Sequence, residues 1–96
     1  MAAGVSVQVD FYGAVQQVFG DKSTRVSVGP APTVRAVLER LCTTAERRGK
    51  IFDPSGGLRP EVTVMKNGRN VLFLNGLETE VSEGDVVALF PPTFGG

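Results

Sequence analysis

Between Thr33 and Gly49 lies the one long stretch of this 96-residue chain whose apolar residues recur at helical spacing; most of the remaining apolar runs alternate. Val34, Val37, Leu38, Leu41 and Ala45 form a single stripe. Thr33 is placed to cap the first free amide groups, although Ala36 stands where a capping box would need an acid. Arg47 and Arg48 suit the negative end of the helix dipole, and Gly49 suits a left-handed stop. One amphipathic helix must bury its stripe against another layer, and the rest of the chain reads as strands.

Val5, Val7, Val9 and Phe11 alternate with Ser6, Gln8 and Asp10, a half-buried first strand. Gly13 to Phe19 fits a short helix or turn closed by Gly20-Asp21. Thr24–Val28 alternates again, with Val26 and Val28 on one face, and Gly29-Pro30 ends it, so the two strands are expected to pair antiparallel. Glu61–Lys66 and Asn70–Leu74 flank Asn67-Gly68-Arg69, a hairpin signal. Asn75-Gly76 makes a second turn, Leu77–Ser82 reads as irregular, and Gly84-Asp85 launches a last strand, Val86–Phe90, which Pro91-Pro92 terminates. The predicted order is β, β, α, β, β, β: an α+β domain over residues 1–96, one main helix on a mixed sheet of four to five strands, with a flexible tail over residues 91–96.

Composition removes several classes of function. Ten Lys+Arg balance ten Asp+Glu, which argues against a nucleic-acid partner. The apolar runs fall far short of the ~20 residues a bilayer span needs, and no secretory pattern opens the chain, so no membrane is expected. With no His and a single Cys, a His/Cys zinc site, an intrachain disulfide and a His-based triad are excluded within one chain, while the acids leave a carboxylate-bound Mg²⁺ site open. Cys42, beside the helical stripe, reads as a small near-core residue, and a lone Cys fits a reducing, cytoplasmic compartment. Residues 76–96 carry Glu78, Glu80, Glu83 and Asp85 but no Lys or Arg, a −4 segment against +4 elsewhere, which suits a basic partner surface. Tyr12 has no His partner, no Ser-x-x-Lys pair occurs, and no phosphate-binding glycine loop precedes a helix. The chain is expected to carry no catalytic residues of its own, no bound cofactor and no metal.

The end of the sequence offers different chemistry. Pro91-Pro92-Thr93-Phe94-Gly95-Gly96 follows a firm strand. Six extended residues reach roughly 20 Å, enough to enter a partner's active site. Gly95 and Gly96 let a narrow channel close on the backbone, and the proline pair lowers the ordering cost at the tail's root. The group so delivered is the Gly96 carboxylate, a poor electrophile until adenylation by ATP turns its oxygen into a leaving group, with the partner supplying metal and positive charge.

Leu77–Gly96 resembles the C-terminus of the small molybdopterin-synthase subunit and of related sulfur carriers of the MoaD/ThiS type, including the archaeal small modifiers. The elements that carry the likeness are Asn75-Gly76, Gly84-Asp85-Val86-Val87, Ala88-Leu89-Phe90, Pro91-Pro92 and Gly95-Gly96. Phe11-Tyr12 before a short helical piece and Gly20, Thr33-Val34-Arg35 opening the helix, Leu58-Arg59-Pro60 and Asn67-Gly68-Arg69 extend it over nearly the whole chain. The resemblance implies a ubiquitin-like β-grasp with its first and last strands adjacent and parallel, and a carrier in place of an enzyme. A MoeB/ThiF-like activating enzyme would adenylate Gly96 with ATP, and a cysteine desulfurase or rhodanese-type donor would provide sulfur for a thiocarboxylate. The large subunit of molybdopterin synthase would then accept the tail for molybdenum or tungsten cofactor synthesis. The alternatives are joining of Gly96 to substrate lysines, or sulfur supply to tRNA thiolation, cysteine or thiamine synthesis.

Alternation places Val87 and Leu89 on one face of the last strand and Val86, Ala88 and Phe90 on the other, both apolar. The resemblance implies that Val87 and Leu89 enter the core while Ala88 and Phe90 meet the partner, and that Pro91, Pro92, Phe94 and Gly95 are recognised with the tail. Phe94 departs from the small residue usual in relatives, which fits a pocket selective for one partner.

Overall fold

The computed structural model describes residues 4–90. Strand β1 (Val5–Phe11) buries Val7, Val9 and Phe11. It is entered through Gly4, whose backbone lies so close to the Val28 carbonyl that a Cβ would collide with it. Helix α1 (Val15–Phe19) stops at Gly20, left-handed at φ 76°, and stacks Phe19 on Phe11 at 4.7 Å between ring centroids. Strand β2 (Ser23–Val28) then returns antiparallel to β1, with Val26 and Val28 buried.

The expected long helix is two helices. In α2 (Val34–Leu41), Thr33 Oγ1 accepts from the Ala36 amide at 3.2 Å, and Val34, Val37, Leu38 and Leu41 are buried as the stripe requires. The helix ends before Cys42, and α3 (Ala45–Ile51) starts afresh with Thr44 Oγ1 accepting from Arg47 N at 3.1 Å. Two successive threonines offer the backbone a hydroxyl partner that competes with helix continuation. Ala45, predicted on the stripe, is exposed, and Gly49 lies inside α3 and is no stop. The break redirects the chain so that Ile51 and Phe52 reach the core instead. Arg48 spans it as the ion-pair partner of Glu39.

Strands β3 (Thr63–Lys66) and β4 (Arg69–Asn70) form the predicted hairpin, with φ 50° at Asn67 and 84° at Gly68 as a type I′ turn demands. The strand expected over Asn70–Leu74 lasts one residue of that span. The Asn70 side chain accepts from Leu72 N at 2.9 Å and so caps a 3₁₀ turn at Val71–Phe73. A second 3₁₀ turn, Gly76–Glu78, precedes β5 (Val86–Phe90).

The five strands lie in the order β2-β1-β5-β3-β4, with β5 parallel to β1 and antiparallel to β3. The order is that of the expected β-grasp. The buried side chains of β1, β2, β3 and β5 share one continuous core with the α2 stripe. Among the described residues no helix is long and apolar enough to cross a membrane.

Candidate functional site

Alternation along the central strand β5 divides its side chains. Val87 and Leu89 are fully buried, whereas Val86, Ala88 and Phe90 are half-buried on the opposite face, the division expected for Ala88 and Phe90. Its neighbours complete that face: Asp10 of β1 and Met65 of β3 flank Ala88, and Thr63 lies opposite Phe90. Gln8 and Asp10 are hydrogen-bonded to each other at 2.8 Å, making a polar margin beside the apolar centre.

Tyr12 was legible in the sequence as a phenol without a base, and its role as a neighbour of Phe90 was missed. Its amide donates to the Leu89 carbonyl at 3.1 Å, which extends the parallel β1–β5 ladder by one residue. The ring then lies flat on Phe90, centroids 4.5 Å apart and planes 7° apart, with 43% of Tyr12 exposed. The available signal was positional: alternation from Gln8 and Asp10 puts Tyr12 on the outer face. Beyond β4, Leu72 and Phe73 are also exposed, Phe73 at 86%, a second apolar patch that the expected strand there did not foresee.

The start of β5 is fixed by one carboxylate. Gly84 takes φ 82°, and Asp85 Oδ2 accepts from Ser82 N at 2.7 Å while Oδ1 accepts from Asn67 Nδ2 at 3.0 Å. Lys66 Nζ lies 3.7 Å away. Asn67 in turn accepts from Val86 N on its side chain and donates from its backbone to Val86 O. The hairpin turn and the launch of β5 are thus closed on each other, and the Gly84-Asp85 pair has a physical account. Burial pushes the Asp85 carboxyl up, but its hydrogen bonds and the Lys66 ammonium hold it below the ordinary value.

Three of the four acids of the C-terminal segment are engaged within the chain. Glu78 pairs with Arg35 at 3.0 Å, Glu83 accepts from Ser6 N at 2.9 Å, and Asp85 serves the turn. Arg35 and Lys66 are the cations that pair with them, while Glu78, Glu80 and Glu83 stay exposed at the surface. Cys42 is buried, and burial pushes its thiol up to about 11, so it sits in the core as a neutral side chain. Among the described residues no cluster of His, Cys, Asp and Glu could hold a metal ion. The site residues expected in the tail, Pro91, Pro92, Phe94, Gly95 and Gly96, lie outside the described residues.

The model of the ThiS family matches residues 9–96 of the chain. Small archaeal modifier protein 3 of Haloferax volcanii is 34% identical over 92 residues, spanning 96% of this chain and 100% of that protein. The solution structure of small archaeal modifier protein 1 from Methanosarcina acetivorans superposes with a TM-score of 0.82 at 25% identity, covering 97% of this chain and 98% of the other. A Pyrococcus furiosus protein given as a candidate molybdopterin converting factor subunit 1 has a TM-score of 0.74 at 26% identity, over 93% and 99% of the two chains.

Proposed function

This chain belongs to the ThiS family, small ubiquitin-like carriers and modifiers that are generally non-catalytic, and from that premise we propose that it is a sulfur carrier for molybdopterin synthesis working through the Gly96 carboxylate. The observation that carries the reading is one of connection. Pro91 to Gly96 continue directly from β5, the strand whose last outer residue, Phe90, stacks on the exposed Tyr12. A partner that grips this aromatic pair holds the root of the tail at the same time.

In the proposed sequence a MoeB/ThiF-like enzyme binds ATP, and a Gly96 carboxylate oxygen attacks the α-phosphorus. Pyrophosphate leaves, and the carboxyl carbon gains a leaving group. A persulfide sulfur, provided by a cysteine desulfurase or rhodanese-type donor, then attacks that carbon and AMP departs. Reductive cleavage of the resulting acyl disulfide by a thiol leaves the thiocarboxylate. The large synthase subunit accepts the loaded tail. This chain supplies no proton donor or metal to these steps; Gly95 and Gly96 supply backbone slimness, and Phe94 supplies a side chain for partner selection.

The test is intact mass spectrometry of untagged protein from its own host, together with ATP–pyrophosphate exchange. A species with one oxygen replaced by sulfur at Gly96, and exchange abolished by removing Gly96, are the expected results. Exchange that persists unchanged without Gly96, or a mature chain that continues past residue 96, overturns the reading.

The likeness to small archaeal modifier protein 3 favours a second use of the same adenylate, in which a substrate lysine amine attacks the Gly96 carbonyl and forms an isopeptide. Proteomic digests carrying the tail on lysines would identify that branch.

A further inference from the structure

Strand β2 is an edge of the sheet, and its free side is aimed at a groove. Val5–Val28, Val7–Val26 and Val9–Thr24 are opposite one another, and the Phe11 amide donates to the Lys22 carbonyl at 2.8 Å in the same register. In an antiparallel ladder hydrogen-bonded pairs alternate with non-bonded ones, so Lys22, Thr24, Val26 and Val28 spend their backbone groups on β1. Ser23, Arg25 and Ser27 turn theirs outward, and all three residues are exposed. Among the described residues, no backbone hydrogen bond occupies their free side.

The space beside them is shaped for an extended chain. Three grooves of about 660, 560 and 160 Å³ share Arg40 and follow the seam between β2 and α2 from Gly29 at one end to Arg47 at the other. The floor includes Val26 and Leu41. The charge at the middle of the seam is basic: Arg25 and Arg40 make no ion pair among the described residues and Glu39 is taken by Arg48, while Asp21 lies at the far end with Arg47. A second copy of the chain fits poorly, because two-fold antiparallel pairing of β2 about its centre sets Arg25 against itself.

We propose that the free edge of β2 takes up an extended peptide segment of a partner protein as a sixth strand, with small or β-branched residues toward its ends and carboxylates at its middle facing Arg25 and Arg40. The backbone of Ser23, Arg25 and Ser27 gives affinity, and the two arginines select an acidic middle. This edge is separate from the Phe90 face and from the tail, so the partner held here is not bound through Gly96.

The test uses the ¹⁵N-labelled full chain and an acetylated, amidated peptide Val-Thr-Val-Glu-Glu-Val-Thr-Val, whose two acids lie at its middle. Saturable amide shifts centred on Ser23, Arg25 and Ser27, with slowed exchange there, are expected. N-methylation of alternate peptide amides weakens binding about tenfold or more, and so does replacing the acids by lysines. The R25E/R40E double variant, melting as the parent does, loses the acidic peptide and gains the lysine-centred one. No saturable shift up to 1 mM peptide overturns the proposal. So do shifts centred on Phe90 or on β4, indifference to N-methylation or to charge, and peptide-free self-association through the same amides.

Discussion

Replacing Asp85 by Ala tests whether one carboxylate holds the launch of β5. The side chain is 14% exposed and accepts from Ser82 N and Asn67 Nδ2 at 2.7 and 3.0 Å, with Lys66 Nζ at 3.7 Å. Hydrogen bonds to a charged group contribute about 1.5–3 kcal/mol each, and near the surface water takes over part of that, so D85A should cost about 2–3 kcal/mol in all. For a domain of this size that lowers Tm by about 10–20 °C. The sign with pH follows from the depressed carboxyl. The folded chain binds this proton less readily than the unfolded one, whose carboxyl sits near its ordinary value of 3.8. The contribution is therefore complete above that value and is lost as pH falls through the lower folded one. Calorimetric melts of parent and variant should differ fully at neutral pH, and the difference should narrow in acid below about pH 4. A gap under about 0.5 kcal/mol at neutral pH, or one that stays constant into strong acid, refutes the assignment of Asp85 as the closing group.

Phe90→Ala should weaken binding to the activating enzyme by about 2 kcal/mol, some thirtyfold by calorimetry, with a smaller fractional loss of stability; the reverse ranking would make Phe90 a core residue. Gly95→Val should impair ATP–pyrophosphate exchange with Tm nearly unchanged, and normal exchange would show that the channel tolerates a Cβ there. Cys42, whose thiol is raised to about 11 by burial, should react with a disulfide reagent at neutral pH at the rate of unfolding, measured by absorbance; prompt labelling of the folded chain would contradict its burial. Gly4→Ala should destabilise by about 1–3 kcal/mol in urea melts, because the new Cβ meets the Val28 carbonyl and the backbone must shift.

Much of the molecule could be read before any fold was known, and the readable parts share a physical cause. The alternation of Val5 to Phe11 and of Val86 to Phe90, the Thr33 cap, the Gly20 stop and the Asn67-Gly68 turn are decided by steric and hydrogen-bonding rules acting over a few residues. The same locality explains the two failures. Thr43-Thr44 and Asn70 each present a side chain able to compete with the regular backbone pattern, and whether it wins depends on what the core needs next: Ile51 and Phe52 in one case, Val71 in the other. The two apolar faces of β5 were visible in the order of its residues, and so was a tail built for a backbone channel.

The partnerships between distant residues belong to the tertiary structure. Tyr12 meets Phe90 because the last strand lies parallel beside the first, and periodicity within either strand carries no information about that neighbour. Asp85 closes on Asn67 because β3 lies on the other side of β5. The open edge of β2 exists because sheet order leaves that strand outermost. Composition and spacing determined most of the strands, the first turns of α2 and the hairpin turn, since those depend on each residue's near neighbours. Which segments touch was set by the packing that buries the inner faces of the sheet and the α2 stripe in one core, and leaves the outer face of β5 and the Leu72-Phe73 turn uncovered.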